Sequence, residues 1–295
     1  MSDVKIFWDP QGFELDSLGD KTVLGATDGD TPSVSVAIRM LSIDTPEVHY
    51  PGTQKPSAQD ANLKQLAEWI AAGKAPLDDG LAQHLAPKLA TGKAGTLQET
   101  QGTRAAKFFA KLLKEKLTRP DGTKRRVFLR AADEHFDQYG RLLAYIAPTY
   151  SETELAQMPR PQRATFNLLM VEAGWAATLP IFPSIPGYLD LTLLHAAARD
   201  AFTAQRGAWA ESLMLTGYEF RMCVKLFNVT QKIVKRQKLS ASERGSWIER
   251  YCVDMTTREI FYPQEYYRVA PYNRLFVWAQ DVSDAVAQMN LVPAS

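Results

Sequence analysis

The sequence predicts an α+β fold, and three observations predict it. Short stretches that alternate apolar and polar residues lie near the start and middle of the chain. Segments with apolar residues at helical spacing lie between and after them, and beyond residue 216 runs of β-branched and aromatic residues return. At 295 residues the chain exceeds the usual reach of one small domain. It is expected to divide into a main domain over 1–215 and a C-terminal β-rich unit over 216–295.

Residues 21–45 alternate around Asp28-Gly29-Asp30, which reads as strand, turn, strand. From about 51 to 100 the composition shifts to a helical insertion. Its first helix is expected to open on a capping box of Ser57 and Asp60 and to stop at Gly73, and a second, Ala-rich helix surrounds His84. Over 103–117, Ala105, Phe108, Phe109, Leu112 and Leu113 share one face opposite Lys107, Lys111 and Lys114, which predicts an amphipathic core helix. RRVFLRAA and GRLLAYIA form a predicted hairpin around 126–147. Two more helices follow, one over 162–173 stopping at Gly174 and one stopping at Gly207. The stretches FRMCVKLFNV, WIERYCVDM, REIFY and RLFVWA read as strands of the C-terminal unit.

Composition narrows the function classes. Hydrophobic residues make up 45% and charged residues 23%, an ordinary globular balance with no apolar run of membrane length. The first twenty residues lack the apolar core of a secretory signal, and the two cysteines, Cys223 and Cys252, are too few for a disulfide framework; a reducing, cytoplasmic setting is expected. The net charge of +1 does not announce a polyanionic partner, so a nucleic-acid site must be local. No phosphate loop or dinucleotide fingerprint occurs, and His49, His84, His135 and His195 lack the spacing of a zinc site.

Three clusters remain: Asp28-Gly29-Asp30-Thr31, then Arg39 followed by Asp44-Thr45-Pro46-Glu47, then Asp137-Gln138-Tyr139-Gly140-Arg141, with Asn167, Val171 and Gly174 completing the series. Phosphodiester hydrolysis needs cations fixed against the growing phosphate charge and a base for water, and these residue types supply both. Asp30 and Asp44 offer hard carboxylate oxygens of the kind that suits Ca²⁺. Arg39 and Arg141 present forks of donors that match phosphate geometry. Pro46 stiffens the turn that aims Glu47. Arg39 stands five residues before Asp44, so a regular strand would send the two to opposite faces, and a bulge or strand end is required between them.

In this order and spacing the clusters resemble the staphylococcal nuclease, or thermonuclease, family over roughly residues 20–210, with one insertion after the DTPE segment. The resemblance implies a five-stranded β-barrel of the oligonucleotide-binding type with three helices. It also implies a Ca²⁺ ion on Asp30, Asp44 and the Thr45 carbonyl, Glu47 as the water-activating base, Arg39 and Arg141 on the scissile phosphate, and Tyr139 against the nucleotide. The implied activity is calcium-dependent hydrolysis of DNA or RNA, and the alternative is a non-catalytic binding scaffold on the same barrel. The sequence departs from the pattern at Gln138, where the family has lysine, and at Pro180 and Phe182, where it has two tyrosines around the nucleotide. Residues 217–250 carry eight lysines and arginines against three glutamates, either a solvated face or a contact to nucleic-acid backbone. A protein partner docking through 216–295 is the further expectation, and no membrane is expected.

Overall fold

A computed structural model describes residues 20–294. The described residues divide into two compact units: one holds residues 20–39 together with Ala131–Ala144, the other holds Met40–Arg130 and residues 145–294.

In the first unit the Asp28-Gly29 turn folds β1 (Val23–Ala26) onto β2 (Pro32–Val34) as an antiparallel hairpin, with Val23 opposite Val34. This is the strand, turn, strand that the alternation predicts. β3 (Ile38–Met40) follows. After a break at Leu41, β4 (Ser42–Asp44) continues with Ser42 at φ 58, in the left-handed region. The strand is therefore interrupted between Arg39 and Asp44.

The insertion is helical. α1 (Asp60–Ala71) and α2 (Asp79–Ala90) pack on each other, and α3 runs unbroken from Ala94 to Lys116. The insertion therefore merges into the helix expected at 103–117. The predicted capping box does not form, because a 3-10 turn over Pro56–Gln59 leads into α1. The Asp60 carboxylate caps α3 instead, accepting from Gly95 N at 2.7 Å, Thr96 N at 3.0 Å and the Thr96 hydroxyl at 2.5 Å.

β5 (Val127–Phe136) and β6 (Leu142–Pro148) form the expected hairpin, and the sheet order is β3-β6-β5. After the short helix α4 (Glu152–Gln157), α5 (Phe166–Glu172) starts on a Thr165 cap; β7 (Ala177–Leu179) then pairs antiparallel with β4, and α6 spans Tyr188–Thr203. Among the described residues the strands up to β7 form three separate sheets, β1-β2, β3-β6-β5 and β4-β7, and not one closed five-stranded barrel.

Beyond residue 215 the expectation of strands fails at its first stretch. Residues Gly217–Val234 form a helix, α7, opened by a capping box in which Thr216 and Glu219 satisfy each other's backbone N–H groups. After α8 (Ala241–Gly245) come β8 (Arg250–Asp254), β9 (Glu259–Phe261) and β10 (Arg274–Trp278), then α9 (Val282–Met289) and β11 (Val292–Pro293), giving a sheet in the order β10-β8-β9-β11. These residues do not keep a core to themselves. Phe220, Cys223, Leu226 and Phe227 of α7 join Leu63 and Leu66 of α1, Leu81 and Leu85 of α2, and Cys252, Phe261 and Phe276 of the sheet in one apolar cluster. Trp69 stacks on Phe227 at 5.3 Å between ring centroids. Pro180 and Phe182, the two departures from the tyrosine pattern, take part in the same union. Phe182 N donates to Phe276 O and Phe276 N to Pro180 O, both at 2.9 Å, and the Phe182 ring is buried against Val253, Leu275 and Val277.

Candidate active site

Asp44 ends β4 and is only 2% exposed. Two contacts fix the strand that carries it: the Ser42 hydroxyl meets the Tyr145 hydroxyl at 2.5 Å, and Asn167 donates to Leu41 O at 2.8 Å while accepting from Ile146 N at 3.1 Å. Asn167 thus clamps the backbone of Leu41 and Ile146. Thr45-Pro46-Glu47 then turns over α3, where Gly102 allows close approach; a Cβ there would stand 2.5 Å from the Glu47 carbonyl oxygen.

The residue that joins the two acids is Arg221, one turn into α7. Its Nη2 donates to both Asp44 oxygens, at 3.1 and 3.2 Å, and its Nη1 donates to Glu47 Oε1. The Arg221 side chain is 25% exposed and that of Glu47 23%. Burial works against the guanidinium charge, but the attraction of Asp44 and Glu47 outweighs it and raises the Arg221 pKa above the ordinary arginine value. Behind it Arg250 lies 4.1 Å from the Trp278 ring centroid and 5.8 Å from that of Tyr218. A pocket beside Asp44 and Pro46 is lined by Trp175, Trp209, Met214 and the Thr216-Gly217 turn.

The other predicted residues lie in the first unit. Asp30 accepts from the Thr31 hydroxyl at 3.2 Å, and the Asp28 carboxyl is held below its ordinary value, chiefly by its hydrogen bond with Thr31. Arg39 is a half-buried residue of β3. Arg141 forks onto Asp137, with Nε at 2.7 Å and Nη2 at 2.6 Å from Oδ2, and its guanidinium lies 5.2 Å from the Tyr139 ring centroid. Burial pushes the Asp137 carboxyl up, but its hydrogen bonds with Arg141 and Tyr139 prevail and lower it. Tyr139 is 72% exposed, so it is not packed in a core. The structure therefore brings together Asp44, Thr45 and Glu47 in one unit and Asp137, Tyr139 and Arg141 in the other.

The donors can be weighed against calcium within the second unit. The Asp44 carboxylate and the Thr45 carbonyl are hard oxygens, and Gly217 crowds both: an added Cβ there would stand 2.6 and 2.5 Å from them. That chemistry fits Ca²⁺. Among the described residues no three His, Cys, Asp or Glu side chains gather into a metal cluster.

Residues 37–211 match the family described as staphylococcal nuclease homologue. The chain belongs to this family. An α+β fold related to the oligonucleotide-binding barrel and a nuclease lineage come with membership. The staphylococcal nuclease match ends before α7, so Arg221 comes from outside it. The chain is also 26% identical over 153 residues to "Endonuclease YhcR" of Bacillus subtilis (strain 168), an alignment that covers 51% of this chain and 10% of that protein. The chain thus spans a tenth of that relative's length. Among the described residues no helix is long and apolar enough to cross a membrane.

Sequence reading reached Asp44, Thr45 and Glu47 and missed Arg221, which it placed only in a run of charge. The signal was Thr216 followed by Glu219, a capping box that announces a helix and hence puts Arg221 one turn in.

Proposed function

We propose that the chain hydrolyses phosphodiester bonds in DNA or RNA, with Glu47 as the base that takes the proton from the attacking water. The observation that supports it is the pairing of Asp44 and Glu47, two carboxylates three residues apart that meet one guanidinium. Asp44 and the Thr45 carbonyl would hold a calcium ion, with Asp30 as the third ligand that the family pattern adds. When bound, that ion offsets the charge of the phosphate. Arg39 and Arg141 would grip the phosphate through their donor forks. Arg141 must then exchange Asp137 for a phosphate oxygen, a charge-assisted bond traded for another of the same kind. Tyr139, exposed beside Arg141, would lie against a nucleotide base or sugar. Similarity to an endonuclease of Bacillus subtilis supports internal cleavage.

One observation favours the second reading, a non-catalytic nucleic-acid or protein scaffold: Arg221 already satisfies both carboxylates. A nuclease assay on denatured DNA and on RNA, with calcium and with a chelator, separates the two. Hydrolysis should require Ca²⁺, and Glu47→Gln should lower kcat by about a hundredfold or more while the melting curve stays cooperative. Equal activity in wild type and Glu47→Gln refutes the assignment of the base, and no activity under any condition leaves the scaffold.

A further inference from the structure

We propose that Arg221 is a resident cation of the Asp44–Glu47 site, which a metal ion must displace in order to bind. The proposal rests on the reading of Asp44 as a metal ligand. It follows from where the guanidinium stands: both Asp44 oxygens accept from its Nη2, and Glu47 accepts from its Nη1. A divalent ion on Asp44 would stand within a few ångströms of that charge, where repulsion is weakly screened because Asp44 is buried.

The start of α7 covers the second donor as well. Gly217 lies so close to the Thr45 carbonyl and to Asp44 Oδ2 that a single added carbon would collide with both oxygens. The helix itself is not the moving part. Its capping box is closed, Glu219 is held by His84 at 2.7 Å and Lys88 at 3.2 Å, and Phe220 and Cys223 sit in the core. What can move is the long Arg221 side chain, so swinging one guanidinium frees the carboxylates of Asp44 and Glu47 while the Thr45 carbonyl stays under Gly217. Because Arg221 lies beyond the matched family region, this control belongs to the chain's own C-terminal extension.

The experiment is calcium titration calorimetry on the full chain, comparing wild type with Arg221→Met and with Lys225→Met. Lys225 is the exposed lysine one turn further along α7, and its loss removes the same charge without the contact. Arg221→Met should bind Ca²⁺ about tenfold more tightly or better, and Lys225→Met should stay within about threefold of wild type. Equal affinity in wild type and Arg221→Met overturns the proposal, as does an equal gain in both variants, which would mean that only the general field matters. If Arg221→Met does not fold, Arg221→Lys keeps the charge and loses the fork; a gain of a few-fold supports displacement and no gain overturns it. Tighter binding in Arg221→Met with no hydrolysis of nucleic acid keeps the proposal and removes the nuclease reading. Hydrolysis with no calcium binding in any variant does the reverse.

Discussion

Gly217 shows how far a single position controls this site. The first residue of α7 is where the extension meets Asp44 and Thr45, and Gly217→Ala would drive a methyl group to about 2.5 Å from the Thr45 carbonyl. Backbone is the obstacle, so the strain cannot relax by turning a side chain, and a loss of about 1–3 kcal/mol is expected from such overpacking. Gly245→Ala, which meets nothing within 4 Å, is the matched control and should change stability by well under that amount. Urea unfolding of the two variants checks this, and equal midpoints would show that the 45–217 contact yields easily. At this scale the sequence was informative about chemistry and poor about partners. Asp44, Thr45 and Glu47 were recognisable from residue type and order. That Asp60 caps a helix thirty-five residues away and that Asn167 clamps Leu41 are long-range hydrogen bonds, which no local pattern encodes.

At the scale of elements, the largest misreading was α7. Phe220, Met222, Cys223, Val224, Leu226, Phe227 and Val229 are all buried, so the helix is apolar over most of its circumference. Arg221, Lys225, Asn228 and Lys232 do recur at helical spacing along one side, but the β-branched and aromatic content of the rest of the run resembles a buried strand. The hairpins around Asp28-Gly29 and Asp137–Gly140 were legible because their turns carry distinctive residues. The helix matters for truncation. Removing 216–295 strips Phe220, Leu226 and Phe227 from Leu63, Leu66, Leu81 and Leu85. At about 1.5–3 kcal/mol for each large apolar side chain, three such losses are comparable to the whole stability of a typical domain. The truncated protein should aggregate or lose its cooperative melt by circular dichroism. A soluble fragment that melts like the full chain would show that the insertion does not need α7.

At the scale of the whole molecule, three of the eight cations between 217 and 250 are engaged within the protein, Arg221 with Asp44 and Glu47, Lys232 with Glu243 at 2.8 Å and Arg250 over Trp278, while Lys225, Lys235, Arg236, Lys238 and Arg244 are exposed.

The buried charge with the clearest consequence is an acid, Glu219, which ties α7 to α2 and to the segment before β10. It accepts from Lys88 at 3.2 Å and from the Tyr266 hydroxyl at 3.3 Å, and it pairs with His84 at 2.7 Å. Burial pushes its carboxyl up, but the charge of Lys88 and the contact with His84 prevail and hold it well below the ordinary glutamate value. A carboxyl depressed by folding binds fewer protons in the native state than in the unfolded chain. The stability it lends is therefore complete above the unfolded value of about 4.3 and is lost as pH falls toward the folded value. Thermal melts of wild type should weaken below about pH 4 more steeply than those of Glu219→Gln, which has no proton to gain there. At pH 7 the variant should already be less stable by about 3–5 kcal/mol, because Lys88, 16% exposed, is left without its carboxylate. Parallel acid dependence in the two proteins would mean that Glu219 does not carry the link between insertion and extension, and that the apolar contacts of α1, α2 and α7 hold it alone.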